Sequence, residues 1–134
     1  MKPVVVRQAK SLQMSCDAVG NILLTKFSYL GAKDSCVFIP ASVAFWLLEH
    51  IPVNADPNLK APPSRPQIEQ HEWDDRVTPR VLSVQCKQFQ DAVRMTFELE
   101  RKPALVVLLD PSNLELMRRM LEAYRSDLIN LDAD

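Results

Sequence analysis

Few of the 134 residues are suited to reaction chemistry, and those few are scattered. The two histidines, His50 and His71, fall at the end of an apolar helical stretch and inside a proline-rich stretch, so neither is placed to serve a nucleophile as base. Cys16, Cys36 and Cys86 sit singly in apolar runs without Cys-x-x-Cys spacing. That pattern predicts small buried hydrophobes in a reducing compartment, not a disulfide framework or a zinc site. His71, Glu72, Asp74 and Asp75 form a ligand-rich cluster, yet a solvated surface run explains them more simply. No pair of ligands stands at helical spacing elsewhere. With only Gly20 and Gly31, no glycine-rich loop can cradle a phosphate. The expectation is therefore a non-enzymatic protein: catalytic residues none, metal none, cofactors none.

What positions these residues is an internal echo. Shifted by seventy residues, Leu12 falls on Leu82, Cys16 on Cys86, Leu23 on Val93, Phe27 on Phe97, Val37 on Val107 and Ile39 on Leu109. The coincident apolar pattern, more than identity, predicts one unit written twice. In the first copy Leu12, Met14 and Cys16 alternate with polar residues as a half-buried strand does, and Leu23, Thr25, Phe27 and Tyr29 form the face of a second strand. Residues 4–8 are expected to extend the first strand or add an edge. Cys36 to Ile39 gives a third strand, ended by Pro40, and Val43, Ala44, Leu47, Leu48 and Ile51 recur at helical spacing up to about His50.

The second copy repeats the order with Leu82, Val84 and Cys86, then Val93, Met95, Phe97 and Leu99, then Leu105 to Leu109. Asp110-Pro111 opens a long amphipathic helix with a buried stripe of Leu114, Met117, Leu121, Tyr124 and Leu128. The fold class expected is α+β: a tandem duplication of a βββα unit, an antiparallel sheet with helices packed on one face, each copy beneath its own helix, and a long Pro-rich connection between the halves. The boundaries are 1–51 for the first repeat, 52–79 for the linker or arm, and 80–134 for the second repeat with an acidic tail, together one compact domain.

Charge and hydropathy narrow the function. The net charge of −1 argues against strong polyanion binding, and no apolar run is long enough for a membrane helix or a secretory leader, so the expected location is cytoplasmic. Phe45 and Trp46 sit in a helix with almost no polar side, and Ile68 and Trp73 in the acidic, proline-broken arm; uncovered aromatics of this kind are characteristic of interface cores. The function expected is protein interaction, with self-association as a homodimer through the first helix and the arm, at Phe45, Trp46, Ile68 and Trp73. The alternative is single-stranded nucleic-acid binding on the polar sheet face, with Lys26, Lys87 and Arg94 meeting phosphates. In outline only, a doubled strand-rich unit closed by a helix is similar to the Pur-alpha and whirly nucleic-acid binders, and that likeness implies nothing beyond this second reading.

Overall fold

The computed structural model describes residues 6–17, 22–51, 78–89 and 91–129. Along the chain run β1 (Val6–Asp17), β2 (Ile22–Tyr29), β3 (Ala32–Pro40), α1 (Ala41–His50), β4 (Val81–Phe89), β5 (Ala92–Leu99), β6 (Lys102–Leu109) and α2 (Pro111–Ile129). This is a mixed α+β fold with one six-stranded sheet ordered β3-β2-β1-β6-β5-β4 and two helices. The arm with Ile68, His71 and Trp73 and the acidic tail lie outside the described residues.

The sheet is not wholly antiparallel as expected. Val6, Arg7 and Gln8 of β1 pair in parallel with Val106, Val107 and Leu108 of β6, joining the two halves. At the outer edges β3 and β4 also meet in parallel, at a bridge between Phe38 and Arg80, where the Phe38 N–H donates to the Pro79 carbonyl at 2.9 Å. Alternation of apolar residues reports which face a strand buries but not the direction of its neighbours, so both parallel seams escaped the sequence. With its two edges touching, the sheet curls almost into a ring.

That curl is measured by one aromatic pair. The rings of Phe27 on β2 and Phe97 on β5 lie 5.6 Å apart at an interplanar angle of 43°. In a flat sheet two intervening strands would hold them about 14 Å apart. Both rings are fully buried, and around them Met14, Leu23, Ile39, Met95 and Leu109 join helix residues Leu47, Leu114, Met117 and Leu121 in one core cluster. The strand that each helix touches most is the first strand of the opposite half, β4 for α1 and β1 for α2, although α1 also touches β2 and β3 and α2 also touches β5 and β6, and the helices touch each other. Each helix thus spans both halves, where the expectation set each half beneath its own helix alone.

Strand pairing recurs from half to half, though not at one shift. Leu23 opposes Ile39 as Val93 opposes Leu109, and the left-handed residues Gly31 (φ 77°) and Arg101 (φ 63°) occupy matching turns, all seventy apart. The first strands do not follow. Leu12 opposes Phe27, but Val84, not Leu82, opposes Phe97. Both strands carry an irregularity at the same place, between Ala9 and Ser11 in β1 and between Val81 and Ser83 in β4, so β4 matches β1 two residues further along. Loop length is the cause: residues 18–21 join β1 to β2, whereas only residues 90 and 91 join β4 to β5. Leu82 thereby becomes the extra residue of a bulge and stands 59% exposed, where alternation predicted burial. Cys86 takes the place of Met14, which corrects its equivalence to Cys16.

The second helix begins as its sequence predicts: the Asp110 carboxylate accepts the Asn113 backbone N–H at 2.8 Å, and Leu114, Met117, Leu121, Tyr124 and Leu128 are buried. Glu115 was not foreseen as buried, yet it is only 3% exposed. Its carboxylate accepts Arg118 Nε at 2.9 Å, a second bond from Arg118 Nη2, and Arg119 Nε at 3.1 Å. These guanidinium hydrogen bonds, Arg118 first, hold the carboxyl below its usual range although burial alone would raise it. A carboxyl lowered in the folded state adds stability above its unfolded value and loses it as pH falls through the folded one. Glu115→Gln should therefore cost about 1–3 kcal/mol at neutral pH and lose that deficit in acid, read by urea unfolding across pH. Equal deficits at pH 7 and pH 3 would contradict the assignment.

A second polar group lies deeper. Thr25 is completely buried between Met14 and Val37 on the inner face, and its hydroxyl has no hydrogen-bond partner among the described residues. Thr25→Val keeps the shape and removes the unpaired hydroxyl, so it should raise stability by about 1 kcal/mol in the same unfolding assay.

Candidate functional site

Pro40, extended at φ −65° and ψ 157°, ends β3 and starts α1, and the Ile51 N–H donates to the Leu47 carbonyl at 2.8 Å to close it. Ala41, Val43, Ala44 and Leu47 are buried, and Phe45 and Leu48 pack half-buried against the core. Trp46 is left 37% exposed on the outer side of the helix. Its indole stacks on the His50 imidazole, with centroids 4.1 Å apart and planes within 10°, while His50 Nδ1–H donates to the Trp46 carbonyl at 2.8 Å. His50 thus serves as a platform for Trp46 at the helix end.

Facing this side of α1 is the β4 bulge. Ser42, Val43 and Trp46 from the helix and Leu82, Ser83 and Val84 from the strand line an open cavity of about 180 Å³. Its rim carries two large exposed apolar side chains, Trp46 and Leu82, contributed by different halves of the chain. Exposed surface of this type forgoes about 25 cal/mol for each Å² left in water, so the rim favours an apolar cover.

The corresponding place in the other half is filled. There Asn113 of α2 reaches the β1 bulge, its Nδ2 donating to the Ala9 carbonyl at 3.2 Å and, more weakly, to that of Lys10 at 3.4 Å. Tyr124 adds a hydrogen bond from its hydroxyl to the Met14 carbonyl at 3.0 Å. Asn113 is the counterpart of Val43, and Lys10 of Leu82, so a polar seal in one half faces an apolar notch in the other.

Of the residues singled out from the sequence, Trp46 lines the notch, and Phe45 lies one position away on the same helix. Ile68 and Trp73 lie outside the described residues. Lys87 and Arg94 come together as direct cross-strand partners, whereas Lys26, on β2 in the other half, sits opposite Cys36 and pairs with Asp34 at 3.7 Å. The three cations do not form one patch. None of the cysteines is in a disulfide, all three are half-buried, and burial pushes the Cys86 thiol up to about 11, which leaves little thiolate at neutral pH. Burial likewise raises the Tyr29 phenol, beneath the Arg7 guanidinium at 5.8 Å from its ring. Among the described residues no three His, Cys, Asp or Glu side chains gather as metal ligands, and no helix is long and apolar enough to cross a membrane.

Val43, Leu82, Ser83 and Asn113 were missed as site residues. One signal was available: Ala9-Lys10-Ser11-Leu12 and Val81-Leu82-Ser83-Val84 share a small or apolar residue, an out-turned residue, a serine and an apolar residue, but only at the longer shift. No protein-family model matches the chain, and no curated protein and no solved structure shows significant similarity to it.

Asn113→Ala should cost about 1–3 kcal/mol by urea unfolding, because two bulge carbonyls lose their donor in a buried setting. The bulge amides of residues 9–11 should then lose hydrogen-exchange protection ahead of the rest of β1.

Proposed function

We propose that this chain is a protein-interaction module that docks its partners on the notch between α1 and β4 and self-associates through this face. The observation that carries this reading is the exposure of Trp46 and Leu82 on opposite rims of one open cavity. Aromatic anchors beside a concave apolar floor are the residue types and shape that dominate interface energetics. Phe45 belongs to the same helix but packs half-buried against the core, so its part is to hold Trp46 in place. Ile68 and Trp73 of the proline-rich arm are kept in this proposal as contact residues on the strength of the sequence alone. A cytoplasmic location accords with three cysteines outside any disulfide.

An ancestral tandem duplication of a βββα unit belongs to the same reading. What supports it is the recurrence of strand registers, of the bulge and of the left-handed turn residue from one half to the other. After duplication, one notch kept a polar seal and the other became the contact surface.

A second reading rests on Lys87 and Arg94. Like charges placed directly opposite repel, and neither has an ionic partner among the described residues, so a bound phosphate backbone would relieve them. Two cations give weak, strongly salt-dependent affinity. Labelled oligonucleotides at low salt should show no anisotropy change at micromolar protein; a change abolished by Lys87→Glu with Arg94→Glu would favour this second reading instead.

Sedimentation velocity tests the first reading. Trp46→Glu combined with Leu82→Lys should keep the fold and reduce the association constant at least tenfold, since both anchors leave the interface centre. An unchanged distribution of species, with circular dichroism intact, would remove self-association through this face.

A further inference from the structure

On β4 the notch is not isolated. Ser83, which lines its wall, is followed on the same side of the strand by Gln85 and Lys87, all of them exposed, while Val84 is buried and Cys86 half-buried. Four residues at about 3.3 Å each set Lys87 about 13 Å from Ser83, and directly opposite Lys87 stands Arg94 on β5. Both cations lack an ionic partner among the described residues. β4 is also an edge strand: between Leu82 and Lys87 no described strand pairs with its outer side, since the bridge to β3 lies back at Arg80. The helix does not follow it either. α2 reaches Met14 through Tyr124, whereas α1 ends at His50, a turn short of the position matching Tyr124, so that contact has no counterpart in α1 at Cys86. An apolar notch, an open strand edge and a pair of cations therefore form one continuous surface.

We infer that this surface receives the acidic arm segment, residues 67–75, of a second copy of the chain, with its aromatic anchor in the notch and its carboxylates over Lys87 and Arg94. The sequence of that segment matches the surface. Gln67-Ile68-Glu69-Gln70-His71-Glu72-Trp73-Asp74-Asp75 carries four carboxylates and no lysine or arginine, so it complements the cation pair. Trp73 is of a size the notch takes, since a cavity of about 150 Å³ holds a benzene ring and this one measures about 180 Å³. Glu69 stands four residues before Trp73, the interval that separates Ser83 from Lys87, so in an extended segment the two fall on one side at the required reach. The inference rests on the reading of the α1–β4 face as a self-association surface, and it names what the second copy places there. Notch packed on bare notch would leave Lys87 and Arg94 uncompensated, which is the reason for assigning the arm. Exchange of arms between two copies is reciprocal, so it closes as a twofold dimer.

Charge reversal in two separate chains tests it. One carries Glu69→Lys, Glu72→Lys, Asp74→Lys and Asp75→Lys; the other carries Lys87→Glu and Arg94→Glu. By sedimentation velocity each chain alone should associate at least tenfold more weakly than wild type, and an equimolar mixture should recover the dimer to within about threefold, because opposite charges then meet in both directions. Trp73→Ala should weaken the wild-type dimer at least tenfold in the same measurement. Circular dichroism checks the fold of each chain. The neutral pair Lys87→Gln with Arg94→Gln, milder on the fold, should remove the weakening that added salt causes in the wild-type dimer.

A wild-type chain that stays monomeric, or a dimer that Trp73→Ala and both reversals leave unchanged, overturns the arm assignment. Reversed chains that weaken singly and do not recover on mixing place the arm on its own copy and equally overturn it. Oligonucleotide binding lost in Lys87→Glu with Arg94→Glu, with sedimentation unaffected, gives the cations to phosphates instead. The underlying reading is judged apart. A dimer abolished by Trp46→Glu with Leu82→Lys but indifferent to the arm variants removes the arm and keeps self-association through this face, whereas a dimer indifferent to Trp46→Glu with Leu82→Lys removes both.

Discussion

The contact between Phe27 and Phe97 is the constraint on which the rest of the structure depends. It joins strands separated by two others in the sheet order, at a centroid distance of 5.6 Å, and so it can exist only if the sheet is strongly curled. Curling brings the edge strands β3 and β4 together at the Phe38–Arg80 bridge and lets each helix reach from its own half onto the first strand of the other. One hydrophobic core results, to which neither half contributes a complete wall. Folding of one half alone would expose Phe27 or Phe97 together with the helix stripe meant for the opposite strand, so the two halves are expected to fold as a unit.

Much of this architecture was legible in the sequence because most elements carry clean periodicity. Val93, Met95 and Phe97 are buried against the half-buried or exposed Arg94, Thr96 and Glu98, as period two demands, and Asp110-Pro111 starts α2 with the capping contact its residues imply. What periodicity does not encode is neighbourhood. The parallel seams at Val6–Val106 and at Phe38–Arg80 depend on how two halves meet, and side-chain alternation is the same whether the adjacent strand runs up or down. Glu115 was hidden for a related reason: a charged residue three before one arginine and four before another reads as a solvent-facing pair until packing against the core shows its carboxylate to be enclosed.

The candidate site was half legible. Trp46 declared itself by standing in a helix with too little polar surface, but the opposite rim did not, because Leu82 reads as one more inward residue of an alternating strand. Two residues of loop decide the matter. With residues 90 and 91 alone between β4 and β5, the register of β4 moves, Leu82 occupies the bulge, and its side chain turns outward beside α1. A bulge is a two-strand property, and a single strand's sequence does not display it.

From that shift comes the asymmetry that separates a sealed half from an open one. At three places around the bulge the halves diverge in the same sense: Asn113 against Val43, Lys10 against Leu82, and Leu116 against Trp46. Where α2 meets β1 a carboxamide donates to the bulge carbonyls, an exposed lysine keeps the rim wet, and Leu116 packs partly buried against the core. Where α1 meets β4, Val43 stands in place of Asn113, the rim is apolar, and Trp46 stands outward on a histidine platform. An outward Trp46 or Leu82 alone would be a scattered surface hydrophobe of the ordinary kind. Occurring together around one cavity, the two leave apolar area uncovered at a single point, and it is on this that the proposed contact surface rests.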